Sequence, residues 1–283
     1  MDKPLTDAIN ALTTYANETT GQSDTTLSDA VRTLCDGYGG GGISLSDFIA
    51  GNIGESLDLS GVSSSPRNNL FDNMASVKHI YAPDFVSVNS RNNLFSNMQN
   101  LESVDFPNLE ILSNCGYTFS GNRRLVNVHF PKLFDCGDHM LENCTALTTA
   151  VIRGNSGSAK STMYRTFNGC TNLKVCDIGF SEIILQNYCF QNCTKLETLI
   201  LRSNTINRMA ALNALSTSSF KNGGTGGEIY IPKVLYDHLG DGSALDYKSA
   251  TNWSTIDGYG TITWKQIEGS IYETQYADGT PIK

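Results

Sequence analysis

The feature that most constrains this chain is a frame that recurs six times in tandem, because whatever folds one copy must fold them all. The frame opens on an aromatic residue, takes two steps to Asn or Gly, then Cys or Met, and continues as Leu-x-x-Val-x-Phe-Pro. One copy runs through Phe71, Asn73, Met74, Val77, Ile80, Ala82 and Pro83, and the next through Phe95, Asn97, Met98, Leu101, Val104, Phe106 and Pro107. A third carries Phe119, Gly121, Asn122, Leu125, Val128, Phe130 and Pro131. Three more lose the proline: Leu141 to Leu147 with Asn143 and Cys144, Phe167 to Leu173 with Gly169 and Cys170, and Phe190 to Leu201 with Asn192 and Cys193. Their first residues stand 24, 24, 22, 26 and 23 positions apart. Degenerate copies flank the array at Leu57 to Ser60 and at Ile229 to Pro232, so about eight rungs are expected.

The alternation Val-x-Phe places Val104 and Phe106 on one side of a short strand and Asp105 on the other. One copy cannot bury its apolar side alone. A stacked neighbour supplies the missing surface and pairs its strand about 4.8 Å away, so the core runs along the stack. Proline after the strand suits a rung end, since it cannot donate to a ladder. Asn or Gly at the third position suits a left-handed turn.

This frame resembles the BspA-like branch of the leucine-rich repeats, with its aromatic residue, its Asn-Cys pair and its apolar-Pro close, in coils of about 23 residues. The resemblance covers roughly residues 55 to 232 and departs in copies four to six, where Pro is absent and the turns are longer. It implies a β-rich leucine-rich-repeat solenoid, a right-handed horseshoe-like superhelix with a parallel sheet on one face, used for surface recognition and adhesion.

Outside the array, Leu5, Ile9, Leu12 and Tyr15 fall at helical spacing, as do Leu27, Val31 and Leu34 behind Thr26 and Asp29. The expected organisation is a helical docking segment at 1–38, a glycine joint at 39–42, the solenoid at 43–232 and a cap with a hairpin at 233–283. Residues 5–31 followed by polyglycine resemble the leader of tail-associated proteins of phages and prophages of Gram-positive bacteria; a helical cap on the solenoid is the plainer reading. Tyr236, Tyr247 and Trp253 are expected to cover the last coil, which would otherwise expose apolar edges. Residues 261–265 and 270–274 alternate like the two strands of a hairpin.

Catalytic chemistry finds little to work with. Gly154 to Thr162 approaches a phosphate-cradling loop, with Lys160, Ser161 and Thr162 in order but Ala159 where Gly is needed. The next apolar residues, Met163, Phe167 and Leu173, belong to the following copy and leave no room for the helix that holds the phosphates. A nucleotide-dependent enzyme built on Lys160 is therefore the remote alternative to an expanded solenoid turn. His79, His129, His139 and His238 lie near no Ser or Cys in a nucleophile motif, and the first and second fall at solvent-facing strand positions. Asp105 and Asp177 sit three rungs apart, roughly 14 Å, too far for paired glycosidase carboxylates. Eight cysteines show no zinc spacing, and no metal or cofactor is expected. Asn143-Cys-Thr and Asn192-Cys-Thr match a glycosylation pattern that the repeat itself generates.

A formal charge of −8 gives no cationic footprint for nucleic acid. No apolar run approaches the roughly 20 residues of a membrane-spanning helix, so membrane insertion is not expected. The opening residues lack the pattern of a secretory signal. What remains is the outward row of strand centres, Tyr81, Asp105, His129, Val151, Asp177, Ile200 and Tyr230. Of these, Tyr81, Asp105, His129, Asp177 and Tyr230 are the candidate binding residues, suited to a protein or glycan partner. The leading expectation is a non-enzymatic receptor-binding protein of a phage tail, located on the virion or outside the cell. Its helices would dock on a phage structural protein and its solenoid would meet a host-surface protein or glycan. A bacterial cell-surface adhesin and a structural spacer are the alternatives.

Overall fold

The computed structural model describes residues 54–60, 71–87, 93–112, 115–154, 160–180, 182–186, 188–204, 227–248 and 262–282. The two expected N-terminal helices, the glycine joint and Trp253 lie outside the described residues. Among the described residues eleven short strands follow one another: β1 (Ser56–Asp58), β2 (His79–Tyr81), β3 (Ser103–Asp105), β4 (Asn127–Phe130), β5 (Thr149–Arg153), β6 (Lys160–Met163), β7 (Val175–Gly179), β8 (Glu182–Leu185), β9 (Thr198–Leu201), β10 (Glu228–Ile231) and β11 (Thr263–Gln266). The chain is a parallel β-solenoid. β1, β2 and β3 pair in that order, and β4, β5, β7, β9, β10 and β11 pair in theirs. Between the two runs, the Val126 N–H donates to the Glu102 carbonyl at 3.4 Å, which keeps β3 and β4 in step.

Register follows from the apolar alternation. Leu57, Ile80 and Val104 are cross-strand partners, as are Val128, Ala150, Cys176, Leu199, Ile229 and Trp264. Slipping any strand by one residue would turn this column to solvent, so burial fixes the pairing. Behind it the leading aromatics stack rung on rung. Phe71 and Phe95 lie 5.2 Å apart, Phe95 and Phe119 5.4 Å, and Phe167 and Phe190 5.1 Å, all near parallel. All five are buried, and each full burial contributes roughly 1.5–3 kcal/mol before the entropy of ordering is counted.

The third position of the frame behaves as its residues require. Asn73, Asn97, Gly121, Asn143, Gly169 and Asn192 all have positive φ, between 53° and 77°. The residue after it explains the repeated cysteine. Cys144, Cys170 and Cys193 each donate S–H to the carbonyl of the preceding rung's lead residue, Phe119, Leu141 and Phe167. Asn122 does the same for Phe95 at 2.9 Å. Each thus gives a buried carbonyl a donor from the next rung at little cost in volume, and the Leu141 and Phe167 carbonyls accept as well from the Cys144 and Cys170 amides at 3.2 and 3.0 Å. Burial pushes the Cys144 thiol up to about 12 and raises those of Cys170, Cys176, Cys189 and Cys193 as well, so these side chains stay neutral.

Losing the proline has a structural consequence. Where Pro83, Pro107 and Pro131 end the earlier rungs, copies four to six carry Arg153, Gly179 and Arg202. β5 and β7 therefore run five residues, with Arg153 paired to Gly179, and the Arg202 N–H still reaches the Ile178 carbonyl at 2.8 Å. By the period of two, Arg153 and Arg202 stand on the outer face, beside Val151 and Ile200. Gly179 leaves room for the Arg153 side chain, since a Cβ there would lie 2.8 Å from Arg153 Nε.

The end of the chain differs from the expected hairpin. Residues 263–266 form a ninth rung parallel to β10, and Ile271–Glu273 is a 3-10 turn capped by Ser270. Trp264 occupies the inward column, so this segment continues the core and does not fold back on its neighbour. The real hairpin lies further on, where Gln275 faces Pro281 and the Gly279 N–H closes a β-turn on the Tyr276 carbonyl at 2.9 Å. Tyr247 does cover the last coil: it is buried, with its ring 5.5 Å from Trp264. A four-residue helix, α1 (Lys233–Tyr236), links β10 to that cap.

Candidate functional site

The outer strand face divides into a free part and a covered part. Asp58, Tyr81 and Asp105 are adjacent partners across β1, β2 and β3, and all three are exposed, Tyr81 by 48%. Around them His79 Nδ1 lies 2.8 Å from Ser103 Oγ, and Lys78 pairs with Glu55 at 2.5 Å. That contact lowers the Glu55 carboxyl below its ordinary value, first through the hydrogen bond and then through the ammonium charge.

From β4 onward the expected exposed row is covered. Asp177 is 0% exposed and Tyr230 9%, and Val151 and Ile200 are fully buried. His129 is only partly accessible. The cause is the C-terminal segment, which packs across this face: Ile267, Tyr272 and Ala277 join Val175, Ile200 and Tyr230 in a second, smaller apolar cluster. Of the five candidate residues, the structure leaves Tyr81 and Asp105 open, half covers His129 and removes Asp177 and Tyr230 from solvent.

Buried charge is paired there, as burial demands. Arg202 Nε and Nη2 donate to the two Asp177 oxygens at 2.6 and 2.7 Å. The remaining Arg202 donors reach the carbonyls of Tyr272 at 2.7 Å and Gln275 at 3.0 Å, while the Ala277 N–H donates to Asp177 at 3.1 Å. Tyr276 lies within reach of two guanidinium groups, Arg153 at 4.9 Å and Arg202 at 5.5 Å from its ring centre, and its phenol oxygen accepts from Arg153 Nη1 at 2.7 Å. Asp278 pairs with His129 Nδ1 at 2.7 Å. At the far end, Lys265 holds the Glu228 carboxyl low, and Glu228 in turn raises the Lys265 ammonium.

The sequence contained a sign of this covering. Apolar Val151 and Ile200 on a face otherwise carrying Asp, His and Tyr mark a surface that needs a partner. A second row was not anticipated. Tyr117, His139, Arg165 and Tyr188, each two residues before a lead position, all have positive φ between 51° and 62°. Tyr117 stacks on His139 at 4.2 Å, and Arg165 lies 5.0 Å from the Tyr188 ring centre. Buried Glu142 anchors the row, accepting from His139 at 2.8 Å and Asn168 at 2.9 Å.

Lys160 opens β6, which pairs in register with β8, Lys160 with Glu182 through Met163 with Leu185. A phosphate-cradling loop requires a helix at that point, and a strand stands there instead. Among the described residues no helix is long and apolar enough to cross a membrane.

Stacked coils with a parallel strand ladder, buried stacked aromatics and a left-handed turn in each of six copies of the frame define a leucine-rich-repeat protein. The model of the BspA type leucine rich repeat region matches residues 55–165 and 156–237 in six copies, and the chain belongs to that family. Among solved structures it is similar to a leucine-rich repeat protein from Bacteroides ovatus ATCC 8483, at 19% identity and a TM-score of 0.44 over 70% of this chain. The chain spans 44% of the length of that protein. No curated protein matches it. Repeat scaffolds of this kind present extended surfaces for binding.

Proposed function

We propose that the chain is a non-enzymatic adhesion protein that meets its target through the free outer face of β1–β3. The observation that carries this reading is the exposed triad Asp58, Tyr81 and Asp105, an aromatic ring between two carboxylates on a parallel sheet, in the part of the ladder that the C-terminal segment leaves open. A mixed surface laid out along a strand ladder suits a host-surface protein or glycan better than a small molecule. The resemblance of residues 1–42 to phage tail leaders supports placing the chain on a virion, with the leader docked on a structural protein of the tail. Family membership equally supports a bacterial cell-surface adhesin.

Binding of the fluorescently labelled full chain to Gram-positive host cells tests the reading. Substituting Tyr81→Ala together with Asp105→Ala should lower cell-bound signal at least tenfold without moving the unfolding midpoint. Unchanged binding would favour a structural spacer. Tail or baseplate genes beside this one support the virion placement, and a surface-anchoring locus supports the adhesin.

A further inference from the structure

The C-terminal segment sits on the sheet as a bound peptide would. Arg202 and Asp177 read its main chain, two carbonyls and one amide, without regard to side-chain identity. Arg153, Arg202 and His129 read its side chains, surrounding the Tyr276 ring and pairing with Asp278 two residues on. Main-chain hydrogen bonds combined with side-chain subsites are the elements of peptide recognition.

Two observations separate this arrangement from a permanent cap. The fit is incomplete: Arg153 Nε and His129 Nε2 are buried without a hydrogen-bond partner, where a settled core pairs nearly all such groups. The segment is also a unit of its own, since its hairpin bonds, Tyr276 N–H to Thr280 and Ile282 N–H to Thr274, are internal, and it leaves the last rung through Gly269 at φ +80°.

We propose that the outer face of β4–β10 is a recognition site for a β-turn that bears tyrosine and, two residues on, aspartate, displayed by a partner protein. Residues 270–282 occupy the site in cis and must lift for the partner to enter. The unpaired Arg153 Nε–H favours a ligand with one acceptor more than the resident segment supplies. This site is distinct from the free face of β1–β3, and either assignment stands if the other fails.

The test uses the full chain and a labelled synthetic peptide with the sequence of residues 270–283. The full-length Tyr276→Ala/Asp278→Ala variant, whose own segment is weakened, should bind the peptide at least tenfold more tightly than the parent chain. Adding Arg153→Ala, or changing the peptide's aspartate to asparagine, should reverse that gain. Absence of binding by a variant that still unfolds cooperatively would overturn the proposal. Concentration-dependent self-association of the parent chain that the peptide dissolves would place a second copy in the site and overturn the partner reading. Hydrogen exchange on the parent chain decides the matter if the variant does not fold. Amides of residues 271–282 should exchange well before those of β5, β7 and β9, and exchange only on global unfolding would make the segment a fixed cap and refute the idea.

Discussion

Replacing Arg202 with methionine removes one guanidinium and isolates what holds the covered face. Asp177 has no solvent exposure and would lose both charge-assisted bonds, at 2.6 and 2.7 Å, keeping only the Ala277 amide at 3.1 Å. Removing one partner of a buried ion pair costs about 3–5 kcal/mol, because the remaining charge stays buried and uncompensated. An exposed pair would cost about 0–1 kcal/mol. Against a total stability of about 5–15 kcal/mol the larger figure is easily seen. Urea unfolding read by tyrosine and tryptophan fluorescence should show the midpoint falling, with a double variant Asp177→Leu/Arg202→Met less destabilised than Arg202→Met alone, since it leaves no orphaned charge. A loss below about 1 kcal/mol for Arg202→Met, or a double variant worse than the single one, would refute the buried-pair reasoning.

Other consequences can be checked separately. Gly137→Ala should destabilise severely, because at φ +63° its Cβ would lie 2.2 Å from the Cys115 carbonyl oxygen; Gly240→Ala, at φ +86° with open space, should cost only about 1–2 kcal/mol of backbone strain. Equal midpoints for the two variants would contradict the coil geometry. The seven described cysteines are buried, so iodoacetamide at pH 8 should label none of them until the chain unfolds. Their raised thiol values also set a sign for alkaline stability. The folded state keeps its protons where the unfolded chain loses them, so the contribution is intact below the ordinary thiol value of about 8.5 and declines as pH rises above it, by up to about 1.4 kcal/mol per pH unit for each thiol. Stability that is flat from pH 8 to pH 10 would count against buried neutral thiols.

Much of the fold was legible because each rung repeats a local rule. The Val104 and Phe106 alternation, the left-handed turn at Asn73, Asn97 and Gly121, and the proline at the rung end are set by residues a few positions apart. The covered face was not legible in that way. Arg202 meets Tyr272 and Gln275 across 70 and 73 positions, and no periodicity carries such contacts. For the same reason residues 270–274, which alternate like a strand, form a 3-10 turn, since long-range anchoring by Arg202 outweighs the local pattern. Assigning Asp177 and Tyr230 to an exposed row assumed that every rung faces the same surroundings. The replacement of Pro131 by Arg153 and Arg202 in later copies was the local clue that they do not.

Carboxylate footprinting tests the division of the ladder most directly. Carbodiimide coupling of an amine to the native full chain, mapped by mass spectrometry, should modify Asp58 and Asp105 readily and Asp177 far more slowly. Modification of Asp177 at the rate of Asp105 would contradict the account, since it would mean that the whole outer face is open.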